Sequence, residues 1–192
     1  AEDFLGVMAL AEQQTVTGLV FDLLSGQHTG AGRKLVLKYA GKYTKIQRKN
    51  QNANIELQGF VNACHQNSID MLVVKGQTIG ALYPNPLLRI SGDIDFLIKD
   101  DYSVVKPQIE KTFEMQLPEK MIEREISFTR NKMLYELHNN LVAFGSKRNK
   151  DYWKQLMDEA WKEPFYVMVG ETRVRTLPPT VNAVYLFIHL FF

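Results

Sequence analysis

Gly92-Asp93-Ile94-Asp95-Phe96-Leu97-Ile98 decides how this chain is read. The segment is short and apolar and opens after a glycine, which predicts a strand over 93–98. Side chains alternate across a strand, so Asp93 and Asp95 share one face while Ile94, Phe96 and Ile98 take the other. Two carboxylates then stand about 7 Å apart at their Cα atoms. Side by side they repel, and one is driven toward protonation unless a cation lies between them. Mg²⁺ prefers oxygen ligands, commonly one or two carboxylates plus substrate phosphates. Taken alone, Asp-x-Asp is more often an exposed acidic strand end.

The flanking residues change that balance. Upstream, the apolar run from Ile69 to Val74, interrupted only by Asp70, reads as a buried strand ending in Lys75-Gly76. Gly76 permits a tight turn, and the amides of Gln77 and Thr78 at the start of the next short helix are placed to meet an anion. That helix is expected over two turns, from Gln77 to Tyr83, before Pro84 and Pro86 stop it. Arg89 adds a planar cation suited to a phosphate or to an aspartate. Downstream, Ile122 to Phe128 and Met133 to His138 predict a hairpin across Asn131-Lys132. In its second strand Leu134, Glu136 and His138 share a face, and an acid in an apolar strand needs a partner or a metal. Glu136 beside the aspartates would be a third acid, as general base or metal ligand; by itself it would simply pair with a base. His138 is a secondary candidate.

The rest of the chain frames this unit. Phe4 to Leu24 predicts one or two short helices, Ser25 to Gly32 a linker, and Arg33 to His65 a long helix weakened at Gly41. A helix is expected over Asp101 to Thr112 and another over Asp151 to Trp161. A second hairpin turns at Gly170, and Pro178-Pro179 opens a last helix expected to continue beyond Phe192. Three segments result: an N-terminal helical segment 1–66, a core 67–177 and the start of a C-terminal helix 178–192. The class is α+β, a mixed sheet with flanking helices.

Composition narrows the function. With 23 Lys+Arg against 21 Asp+Glu the net charge is +2, which excludes a polyanion binder driven by bulk charge. A single cysteine, Cys64, precludes an internal disulfide and a zinc set, and points to the cytoplasm. On the apolar side of its helix it reads as a buried thiol. The apolar run at 181–192 is too short for a bilayer span, so no membrane role is expected. No Walker loop, nucleophile elbow or dinucleotide glycine pattern occurs.

Met71-Leu72-Val73-Val74-Lys75-Gly76, Leu82-Tyr83-Pro84-Asn85-Pro86, Arg89, Gly92-Asp93-Ile94-Asp95 and Tyr135-Glu136-Leu137-His138, in that order, resemble the bacterial nucleotidyltransferases of the DNA polymerase beta superfamily. The likeness spans about 69–138. It implies a polymerase-beta-like core and Mg²⁺-dependent, or Mn²⁺-dependent, transfer of a nucleoside monophosphate from an NTP, ATP being the expected one. The receiving group would be a hydroxyl on a small-molecule or macromolecular acceptor, and pyrophosphate would leave. Asp93, Asp95 and Glu136 would be the catalytic and metal-binding acids, and Lys75, Gly76, Thr78 and Arg89 would bind the nucleotide. One departure stands out: the superfamily carries Gly-Ser on the turn where this chain has Lys75-Gly76.

An alternative follows from that departure and from the basic stretch between Asp22 and Glu56, which holds no acid. Lys34, Lys38, Lys42 and Lys45 fall at helical spacing on one face. Such a helix would serve nucleic acid or an acidic partner in a catalytically silent binding or regulatory module, although most charge runs are solvated faces. Tyr39 and Tyr43 continue the apolar stripe and read as core contacts.

Overall fold

The computed structural model describes residues 2–26, 30–121 and 124–191. Three helices lead: α1 (Glu2–Gln13), α2 (Thr17–Leu24) and α3 (Arg33–Gln66). Gly41 does not interrupt α3, which runs as one helix of 34 residues. Its N-terminal half packs with α1 and α2 around Phe4, Met8, Phe21 and Tyr39. Its C-terminal half presents Leu57, Phe60 and Cys64 to the main core. Of the expected linker, residues 27–29 lie outside the described residues.

The strands β1 (Met71–Val74), β2 (Asp93–Ile98), β3 (Glu125–Arg130) and β4 (Met133–His138) form a sheet of order β1-β2-β4-β3. β2 runs parallel to β4, and the other two pairings are antiparallel, so the sheet is mixed. Helix α4 (Gly76–Gly80) and α5 (Tyr102–Phe113) lie between β1 and β3 in sequence. After β4 come α6 (Lys147–Lys162), the separate hairpin β5 (Phe165–Val169) and β6 (Thr172–Thr176), and α7 (Pro179–Phe191).

Both faces of the sheet are covered, and the alternation of side chains sorts residues between them. Ile94, Phe96, Tyr135 and Leu137 enter the main core with Phe60, Val105 and Ile109. The rings of Phe60 and Phe96 lie 4.9 Å apart, and those of Phe128 and Tyr135 stack at 5.2 Å. Leu72, Val74 and Leu97 point the other way, into a second core with Trp153 and Met157 of α6 and Val181 and Tyr185 of α7. Burial on both faces explains why the β1 sequence is a continuous apolar run.

Several expected boundaries move for identifiable reasons. Helix α6 begins at Lys147, four residues before the expected Asp151, because the Ser146 hydroxyl accepts from the Asn149 amide and caps it. The two turns expected from Gln77 to Tyr83 contract to α4, followed by Leu82 and Tyr83 amides donating to the Ile79 and Gly80 carbonyls. Ile122 and Glu123, placed in the first hairpin strand, lie outside the described residues, and β3 begins at Glu125.

One polar residue ties the long helix to the segment that leads into β2. Asn50 is buried in α3, and its amide donates to the Leu87 and Arg89 carbonyls at 2.7 and 2.6 Å, fixing the segment that enters β2. On the other side of that segment the β1–α4 turn is equally constrained. Gly76 has φ +36°, and a Cβ there would meet Ser91 Oγ at 3.2 Å and the Asp93 carbonyl at 3.3 Å. Gly76→Ala is therefore expected to lose about 1–3 kcal/mol of stability in denaturant unfolding, because both the backbone angle and the contact oppose a side chain.

Candidate active site

The site is set by strand register. In the parallel pairing Asp95 of β2 stands opposite Glu136 of β4, Asp93 opposite Leu134, and Leu97 opposite His138. Since Tyr135 and Leu137 are held in the main core, Glu136 and His138 must face the same side as Asp95. On the other flank, the antiparallel pairing puts Val74 opposite Asp95, so Lys75 emerges at the end of β1 beside it.

Asp95 is 1% exposed. Its Oδ1 accepts from the Lys75 ammonium at 2.9 Å and lies 3.1 Å from His138 Nε2. Burial opposes ionisation of Asp95, but the His138 hydrogen bond and the Lys75 charge outweigh it and hold the carboxyl below the usual aspartate range. Burial likewise opposes the charge on Lys75, and Asp95 overcomes it, so the ammonium is held above the ordinary lysine value. Both ring nitrogens of His138 face acids, Nδ1 lying 3.4 Å from Glu125 and Nε2 3.9 Å from Glu136. Glu136 behaves oppositely to Asp95: burial first, then the charges of Asp95, Glu125 and Asp93, push its carboxyl up to about 7.

Lys75 reaches this position through an unusual backbone, with φ +53° and ψ −141°. A side chain in that region costs about 1–3 kcal/mol and persists where the surroundings demand it. Here the demand is Asp95: a buried carboxylate without a counter-charge is more costly still.

Among the described residues, one group of metal-binding side chains is compact: Asp95, Glu136 and His138 can each offer an atom, all within 4.8 Å of one another. Two carboxylate oxygens and an imidazole nitrogen suit Mg²⁺ through the acids and Mn²⁺ through the whole set. Asp93 shares the face but stands outside that group, half-buried at the entry of β2. Lys75 and His138 line a cavity of about 830 Å³ with Arg124, Glu125, Tyr185 and His189 among others, while Asp93, Asp95 and Glu136 are not among its lining residues.

Thr78, Arg89, Lys38 and Lys42 are placed elsewhere. Thr78 is buried and turns inward: its hydroxyl donates to the Lys75 carbonyl at 2.7 Å and its amide to the same oxygen at 3.0 Å, so both donors are spent on the turn. Gly76 and Arg89 line a separate void of about 20 Å³ with Gln77 and Ser91. Lys42 is paired with Glu12 of α1, and Lys38 and Lys42 lie 5.4 and 5.2 Å from the buried Tyr39 ring, within the leading helical cluster. The basic face of α3 is thus partly neutralised by packing. Cys64 is buried, and burial pushes its thiol up to about 12, which leaves it inert.

Tyr185, Glu125 and Arg124 had no sequence signal that set them apart, and His189 only a weak echo of the resemblance in the helix that Pro178-Pro179 opens. Tyr185 is buried in the second core with its ring 5.5 Å from the Lys75 ammonium, and burial raises its phenol while Lys75 partly offsets it. Tyr185 and His189 are four residues apart on α7 and both line the cavity. That spacing was visible, but in an apolar helix it reads as packing.

The mixed α+β domain thus carries two acids and an imidazole that could hold a divalent cation, with the imidazole on the wall of a cavity. A family model described as "Uncharacterised nucleotidyltransferase" matches residues 1–192, and the chain belongs to that family. Membership supports nucleotidyl transfer as the activity and an NTP as substrate. No curated protein and no solved structure matches the chain. Among the described residues no helix is long and apolar enough to cross a membrane.

Glu136 gives the metal-free protein a pH signature. Its folded-state carboxyl sits near 7 against a usual 4.5, so the folded chain holds the extra proton between those values. This contribution to stability is complete below about pH 4.5 and is lost as pH rises through about 7. Chemical denaturation across this window should show stability falling with pH in the wild type, and Glu136→Gln should remove that component.

Proposed function

We propose that the chain is a divalent-metal-dependent nucleotidyltransferase with a polymerase-beta-like core over 67–177, transferring a nucleoside monophosphate from ATP or another NTP to a hydroxyl acceptor. The observation that carries this is the register of Asp95 against Glu136, which brings two acids of unlike protonation to one face, next to the Lys75 and His138 that line the cavity. Such a pair divides the labour that group transfer requires, one group staying charged and the other exchanging a proton near neutrality.

Asp95 and His138, two members of the compact donor group, would hold Mg²⁺ or Mn²⁺, and Asp93, outside that group but on the same face of β2, would join them. When bound, the cation supplies positive charge for the phosphates. Glu136 takes the proton of the acceptor hydroxyl, whose oxygen forms a bond to the α-phosphorus. The bond from that phosphorus to the α,β-bridging oxygen breaks, and pyrophosphate leaves with the electron pair. Lys75 keeps Asp95 ionised and places a fixed positive charge on the cavity wall. In place of the hydroxyl of a Gly-Ser turn it offers a point charge to phosphate.

The test is a titration of the purified chain with Mn²⁺ or Mg²⁺ and each NTP, followed by thermal melting and by pyrophosphate release in the presence of hydroxyl acceptors. Wild type should be stabilised by metal and nucleotide together. Asp95→Asn should abolish that response, and Glu136→Gln should keep binding while lowering turnover about 10²–10⁴-fold. If metal and NTP perturb wild type no more than an Asp93→Asn/Asp95→Asn variant of preserved circular dichroism, the transfer activity is wrong. Release of inorganic phosphate in place of pyrophosphate would make the enzyme a phosphohydrolase.

A further inference from the structure

A second cleft, of about 570 Å³, lies between the C-terminal end of β2, the segment 139–144 and α6. Its volume falls in the range of small-molecule sites, roughly 300–1,000 Å³. Two features give it a chemistry. The floor is apolar and aromatic, with Phe144, Trp153, Met157 and Trp161, the rings of Phe144 and Trp153 meeting edge to face at 6.1 Å. Its charged lining is of one sign: Lys99, Lys150 and Lys154, with no carboxylate among the lining residues. Lys150 makes no ion pair among the described residues, and the pairs of Lys99 with Asp70 and of Lys154 with Asp158 are exposed, so a buried anion competes with them easily.

Position links this cleft to the chemistry. Asn140, Leu141, Val142 and Ala143 line both it and the cavity that carries Lys75 and His138, so one strip of backbone separates the two. Leu97, which lines the cleft, is the ladder partner of His138. A molecule seated in the cleft is therefore one segment away from the cavity that Lys75 and His138 line, and the 830 Å³ cavity remains for the nucleotide.

We infer that this cleft is the acceptor subsite and takes a flat aromatic body bearing a negatively charged group, whose hydroxyl is presented past Asn140–Ala143 toward the cavity lined by Lys75 and His138. The aromatic floor contributes stacking and burial, the lysines select for the anion, and the absence of lining acids removes repulsion. The word acceptor rests on the transfer activity proposed above; the binding chemistry of the cleft does not.

The two tryptophans of the chain give two indole N–H signals in a ¹H–¹⁵N spectrum, and both line this cleft. The full chain is titrated with 2-naphthalenesulfonate, an aromatic anion, and with the uncharged 2-naphthalenesulfonamide. The sulfonate should shift the indole signals saturably. It should bind at least about 5-fold more tightly than the sulfonamide, and lose that margin in Lys150→Ala/Lys154→Ala, a surface change that spares the fold. ATP with Mn²⁺ should bind alongside the probe. Equal binding of the two probes, or no saturable shift, overturns the site, and competitive displacement by ATP overturns its assignment to the acceptor. Probe binding that persists while metal and NTP give no response refutes the transfer activity and the acceptor role but leaves the anion-selective aromatic site standing.

Discussion

A carboxylate sealed inside a protein must be given a counter-charge, and most of the local geometry here serves that need at Asp95. Lys75 and His138 supply the compensation at 2.9 and 3.1 Å. Each partner is delivered by a strand register: β1 against β2 leaves Lys75 next to Asp95, and β2 against β4 brings Glu136 and His138 alongside. A slip of one residue in β2 would turn Asp95 into the aromatic core around Phe60 and put Phe96 on the face of Lys75 and His138, so packing and electrostatics enforce the same alignment. The strained angle at Lys75 and the side-chain-free position at Gly76 are the local concessions that this alignment requires.

The helices act on the site from both faces of the sheet. The C-terminal half of α3 supplies Phe60 to the core beneath β2 and β4, and Asn50 holds the chain just before β2. On the opposite face, α7 places Tyr185 beside Lys75 and α6 carries the tryptophans of the neighbouring cleft. The strands that hold the acids also give Leu97, Ile98 and His138 to the two openings, and α6, α7 and the 139–144 segment complete their walls.

Membership in a nucleotidyltransferase family and the arrangement of acids agree on the type of chemistry. The Lys-Gly turn changes how it is set up. Thr78 spends its hydroxyl and amide on the Lys75 carbonyl, and it is the lysine side chain that lines the cavity. The basic stretch of α3 joins α1 through Lys42 and Glu12, so part of its charge is structural.

Periodicity made most elements legible in the sequence. The Asp93–Ile98 strand, the hairpin strand Met133–His138 and the long helix over 33–66 follow from local alternation and helical spacing, and those patterns also placed Asp93 with Asp95 and Glu136 with His138 on common faces. Face assignment is local because a strand alternates whatever its neighbours are. Which faces meet is not local. Only the tertiary structure could set Glu136 opposite Asp95, leave Asp93 outside the compact donor group, and draw Tyr185 and His189 from the far end of the chain to the wall beside Lys75. Strand order and register are settled by burial summed over the whole sheet and by the cost of an uncompensated Asp95, and neither quantity is carried by a short stretch of sequence.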